Sequence, residues 1–108
     1  GRTVLYGPDQ DYRNKRSVIS TFFGKDCLTT TVPYTLQKLT NCKLFYLDFY
    51  RDGNGYKFSI EDIGHLADSP QSFADEINKK IEDDVLANPE QYFWHHRRFK
   101  SQNPAIYD

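Results

Sequence analysis

Between Phe73 and Val85 the large apolar residues fall four positions apart. Phe73, Ile77, Ile81 and Val85 form one stripe with Ala74 and Leu86 beside it, while Asp75, Glu76, Lys79, Lys80, Glu82, Asp83 and Asp84 take the other face. This is the period of an amphipathic helix that packs through one side. Ser69-Pro70 supplies its start, and Asn88-Pro89-Glu90-Gln91 stops it and opens a new turn with Pro89 at the first helical position. Upstream the pattern shortens toward strand spacing. Residues 3–6 form a short apolar run ended by Gly7-Pro8, and residues 17–23 are β-branched and aromatic up to Gly24. Residues 44–50 are strongly strand-like, and residues 56–60 alternate apolar and polar. Asp52-Gly53-Asn54-Gly55 between them is turn chemistry, so a β-hairpin is expected over 44–61. Pro33, after Thr29-Thr30-Thr31-Val32, suits the first turn of a helix over 33–40. The order predicts an α/β fold, a mixed sheet with packed helices. Its parts are a strand-loop-strand over 1–24, the 33–40 helix, the hairpin and C-terminal helices over 70–100.

Composition sharpens this in two ways. Aromatics make up 16% of the 108 residues, which argues for an aromatic-packed interior or groove and against disorder. The net charge of −1 is segregated: residues 1–51 hold eight basic and four acidic side chains, residues 52–94 three and ten, and residues 95–108 three and one. Such asymmetry suits an anionic ligand at one face or a solvated surface equally. No apolar run is long enough to span a bilayer. Cys27 and Cys42 lie at no metal-ligand spacing and read as free thiols. Methionine is absent, including at position 1, so the chain is expected to be part of a longer protein.

Most candidate chemistry is weak. Asp52, Asn54, Gly55, Tyr56 and Glu61 match positions of a calcium-binding EF-hand loop, but Tyr50 stands where the first ligand belongs and the flanks are strand-like. The histidines His65, His95 and His96 lack zinc spacing, and no nucleophile elbow or phosphate loop occurs, so no metal and no cofactor is expected. Two constellations stand above the rest. Asp9 and Asp11 sit in a loop beside Arg13, Lys15 and Arg16, where they could orient cations or hydroxyls or form a solvated acidic turn. The stretch from Trp94 to Lys100 mixes aromatics with Arg97 and Arg98, able either to clamp phosphate or to pack and compensate a helix end.

The same two stretches carry a family likeness. Tyr6-Gly7-Pro8-Asp9-Gln10-Asp11-Tyr12, then Ser17-Val18 and Phe22-Phe23-Gly24, resembles a segment of the lipid A lauroyl/myristoyl (secondary) acyltransferases. Asn88-Pro89-Glu90-Gln91-Tyr92-Phe93-Trp94-His95-His96-Arg97-Arg98-Phe99-Lys100 resembles that family's C-terminal signature. The likeness implies the C-terminal portion of a glycerolipid-acyltransferase-like fold. It also implies transfer of an acyl chain from an acyl carrier protein thioester to a Kdo-bearing lipid A precursor, at the cytoplasmic face of the inner membrane. The family's catalytic histidine is followed by four residues and an acid. Here His65 leads to Pro70, His95 to Lys100 and His96 to Ser101, so no catalytic residue is expected in this segment. The motif and the membrane-associating part are implied to lie upstream. Asp9 and Asp11 are then expected to support the active site, and Arg97, Arg98 and His96 to bind the acceptor or hold the structure. Arg13, Thr21 and Tyr46 depart from the family pattern, which has glycine at the first position and proline at the other two. The alternative reading is a stand-alone anionic-lipid or nucleic-acid binding module that uses the aromatic-basic tail; the family reading involves no nucleic acid.

Overall fold

The computed structural model describes residues 1–13, 15–66 and 68–108. Two antiparallel hairpins lie about one long helix. Strands β1 (Ser17–Phe22) and β2 (Lys25–Thr30) pair from Ser17 opposite Thr30 to Phe22 opposite Lys25. The two-residue turn places Phe23 at φ +50° and Gly24 at φ +74°, the left-handed pair that matches strand twist in a tight hairpin. Helix α1 (Val32–Thr40) follows, with Pro33 in its first turn and Asn41 ending it in the left-handed conformation. Strands β3 (Phe45–Asp52) and β4 (Gly55–Asp62) form the second hairpin around Gly53, at φ +59°. Helix α2 (Pro70–Ala87) is fixed at its start by a reciprocal cap: the Ser72 backbone N–H donates to the Ser69 hydroxyl, and the Ser69 N–H donates to that of Ser72.

The α/β class stands, with helices packed on strands. The strands fall into two separate two-stranded sheets among the described residues, where the pattern suggested a single mixed one. Three further expectations change. Residues 3–6 form no strand, and Val4 and Leu5 are exposed. Strand β2 exists although its sequence Lys-Asp-Cys-Leu-Thr-Thr does not alternate apolar with polar. The C-terminal helices expected over 70–100 reduce to α2, a single 3-10 turn at Pro89–Gln91 and a chain of tight turns.

The core lies between β1–β2 and α2. Phe22, Cys27, Ile63, Phe73, Ile77, Ile81 and Val85 are buried together, and Tyr34, Leu44, Tyr46, Tyr92 and Phe99 pack against them. Leu86, in the last turn of α2, is exposed. The molecule is a slab of 44 × 40 × 20 Å with a radius of gyration of 14.4 Å. That is wider than the roughly 13 Å expected of a compact chain of this length. No helix among the described residues is long and apolar enough to cross a membrane.

Candidate functional site

The loop over 7–13 and the tail over 92–101 are far apart in sequence and meet at one place. The Asp11 carboxylate accepts from the backbone N–H of Ser101 at 3.0 Å and from its hydroxyl at 2.8 Å. The Asp11 backbone N–H donates to Nε2 of His96 at 3.0 Å. Arg13 donates from Nε to the Ser101 hydroxyl at 2.8 Å. The loop is closed locally as well, since the Tyr12 hydroxyl donates to the Gly7 carbonyl and the Ser17 hydroxyl to the Tyr12 carbonyl. Asp11 is buried, so its carboxylate needs these donors in place of water.

Arg98 forms a second, deeper joint. Only 2% exposed, it donates to the Leu28 carbonyl, to the Thr29 hydroxyl at 3.0 Å and to Oδ1 of Asn78 at 3.4 Å, and its guanidinium lies 5.8 Å from the Phe22 ring centre. Asn78 donates back across the core to the Thr29 hydroxyl at 2.8 Å and the Thr21 carbonyl at 3.2 Å. No carboxylate forms an ion pair with Arg98 among the described residues, so neutral acceptors and an aromatic face carry the charge. Burial pushes the adjacent Cys27 thiol above its ordinary pKa, with Arg98 opposing, so Cys27 is a core residue and not an activated nucleophile. Cys42 is a free, exposed thiol.

The sequence presented Asp9 with Asp11, and Arg97 with Arg98, as like pairs. The structure separates each of them. Asp9 makes no hydrogen bond among the described residues and lines an open groove of about 400 Å³ with Leu5, Tyr46, Asp84, Val85 and Tyr92. Arg97 is exposed and lies over the Tyr107 ring at 5.4 Å. His96 is half-buried and its pKa is lowered by burial, with Lys100 and Arg98 pushing the same way. Because Nε2 accepts from Asp11, that lone pair is not free to act as a base. Ser101, His96 and Asp11 are therefore not a catalytic triad: the carboxylate bonds the serine directly, and the imidazole bonds a backbone amide. His65 and His95 are exposed, and the described residues contain no group of three metal-ligating side chains.

Asn78, Thr29 and Ser101 were missed from sequence. Asn78 carried a readable signal, an amide one position from Ile77 on the apolar side of α2. The groove floor adds a fourth, the Tyr46 hydroxyl donating to the Asp84 carboxylate. Burial raises both pKa values, and the hydrogen bond from Tyr46 lowers that of Asp84 in part. Tyr92, beside it, is pushed up to about 12 by burial.

Comparison with known proteins covers both stretches in one match. The family described as bacterial lipid A biosynthesis acyltransferase matches residues 1–101. The chain is 37% identical over 107 residues to a lipid A biosynthesis palmitoleoyltransferase of Escherichia coli K12, covering 94% of this chain and 35% of that one. It is 34% identical over 117 residues to a lipid A biosynthesis acyltransferase of Haemophilus influenzae, covering 98% and 37%. A lipid A biosynthesis lauroyltransferase of E. coli K12 is 33% identical over 111 residues, covering 98% and 36%. The chain thus spans about a third of the length of the curated relatives it matches. With the match running through both the Asp11 loop and the Arg98 tail, the chain belongs to the bacterial lipid A biosynthesis acyltransferase family.

Proposed function

We propose that this chain is the C-terminal part of a lipid A secondary acyltransferase. The whole protein would move a fatty acyl chain from an acyl carrier protein thioester to a hydroxyl on a Kdo-bearing lipid A precursor. It would act at the cytoplasmic face of the inner membrane, held there by its upstream part. The observation that carries the reading is the family match across residues 1–101. Its two motif stretches are also the ones joined through Asp11, His96, Ser101 and Arg98.

A hydroxyl acceptor needs a general base in reach of its proton. No histidine here precedes an acid at the family spacing, and the best-placed imidazole, His96, has its Nε2 engaged. The base is therefore assigned to the histidine-acid motif outside this stretch. Within it, Asp11, His96 and Ser101 hold the loop over 7–13 in shape and Arg98 ties the tail to β2 and α2, which leaves Asp9 at the groove as the active-site support. Arg97, exposed, is the cation available to an acceptor phosphate. The binding-module reading is disfavoured by the same geometry, since burial of Arg98 removes one of its two arginines from any exposed patch.

The test compares the full-length protein with residues 1–108 alone, each given acyl carrier protein thioester and lipid A precursor. The full chain is expected to transfer the acyl group and the 108-residue piece to give no turnover above a heat-killed control. Turnover by the piece would overturn the placement of the base. No transfer by a folded full chain would overturn the activity itself.

A further inference from the structure

The β3–β4 hairpin carries its apolar side outward. Its register puts Leu47 opposite Ile60, Phe49 opposite Phe58 and Arg51 opposite Tyr56, all on one face together with Phe45. The six apolar residues of this face are 47–66% exposed. The opposite face, which holds Tyr46, Asp48, Tyr50 and Glu61, is the one turned to the body. There Tyr46 bonds Asp84, Glu61 pairs with Lys80 at 2.7 Å, and the Gln91 amide bonds both backbone groups of Arg51. The hairpin thus reverses the usual order, with its polar face inward and its apolar face to solvent. Its four aromatic rings, at about 150–250 Å² apiece and half exposed or more, present on the order of 300 Å² or more of apolar surface. Ring stacking reinforces it, with Phe49 and Tyr56 at 5.2 Å and 10° between planes.

We propose that this face is the seat of the upstream part of the same polypeptide, and that Leu47, Phe49, Phe58 and Ile60 become core residues there. The inference rests on the reading of the chain as a C-terminal part. Two observations choose this occupant. The chain spans 35–37% of the length of the relatives named above, so most of a family-length protein lies outside it. Leu5 also lines the groove that runs along this hairpin, and Val4 and Leu5 are 71% and 85% exposed, so the segment leading in from Gly1 passes close to the hairpin with its apolar side chains uncovered. An anionic lipid surface is the poorer fit. The apolar face carries Asp62, opposite Phe45, against Arg51, opposite Tyr56, so it has no surplus of positive charge to draw it to anionic headgroups.

The experiment places a benzoylphenylalanine photo-crosslinker at Phe58 of the full-length protein in isolated membranes, with the same group at exposed Lys79 as reference, and maps products by mass spectrometry. The expected product joins position 58 to a peptide upstream of Gly1 in the same chain, several-fold above any such product from position 79. A product with a second copy's hairpin, a product with lipid, or no product above the reference would each overturn the proposal. In parallel, Phe58→Lys should lower the melting temperature of the full chain by several degrees, and an unchanged melt would count equally against it. Acyl transfer by the unmodified full chain is measured separately, so loss of the activity reading and loss of this contact are told apart.

Discussion

Arg97 and Arg98 share a side chain and a neighbourhood in sequence, yet only Arg98 enters the core. Truncating it would remove the side-chain donor from the Leu28 carbonyl and the Asn78 amide oxygen, each costing about 1–3 kcal/mol when left unsatisfied, while the Thr29 hydroxyl keeps its bond from Asn78. Arg98→Ala should therefore lose about 3 kcal/mol or more by denaturant melts. Arg97→Ala gives up an exposed cation–π contact worth roughly 0.5–1 kcal/mol. The aspartates divide likewise. Asp11→Ala should lower the melting temperature and take activity down only in proportion. Asp9→Asn should leave the melt unchanged and reduce the turnover of the full-length enzyme, as separate melting and kinetic measurements would show. Nothing in the sequence distinguishes the members of either pair, because burial is decided by which turn each occupies. His96 adds a pH dependence. Its folded pKa lies below the ordinary imidazole value, so its contribution to stability is present above about 6.5 and lost as pH falls through the lowered folded value. Protonation puts a hydrogen where the Asp11 N–H points. Thermal melts taken from pH 7 toward 5 should show a falling midpoint, and His96→Asn should flatten the fall.

Helix α2 and the second hairpin were legible as elements because each has an unambiguous period or turn. Phe73, Ile77, Ile81 and Val85 are buried as the fourfold spacing implies. Strand β2 was not legible: its buried positions, on both faces, are filled by Cys27, Thr29 and Thr30, which are hidden by hydrogen bonding and packing and not by hydropathy. The aromatic tail misled in the opposite sense. It looks like a helix end, yet its amides bond two or three residues back, as in His96 to Phe93, Arg98 to His96 and Lys100 to Arg97. That tighter winding is what turns Arg98 inward while Arg97 stays out. The calcium-like loop resolves into a hairpin whose Asp52 carboxylate pairs with Lys57 at 2.9 Å across the strands. With Tyr50 in the first ligand position and extended flanks, calcium titration by calorimetry should show no saturable binding up to the micromolar range typical of sensor loops. Saturable binding there would contradict the hairpin.

At the scale of the whole molecule, sequence pattern gave the class but not the arrangement. Hairpin pairing follows from neighbours in the chain, whereas the separation of the strands into two sheets depends on contacts such as Ser20 with Asp75 and Tyr46 with Asp84, which no local period encodes. The longest of these contacts also sets an order in time. Asp11 meets Ser101 across 90 positions and His96 across 85, and Arg98 meets Leu28 across 70. Loop closure of that span comes late in folding. A ribosome releases the chain N-terminus first, so β1, β2 and α2 emerge and pack while the Asp11 carboxylate still has no Ser101 to hold. Residues 96–101 thus finish the loop that emerged some 85–90 positions earlier. A nascent chain halted before position 96 would keep most of its core and lack the four hydrogen bonds that tie the residue 7–13 loop to the tail, leaving a folded but unfinished protein for the cell's quality control to judge.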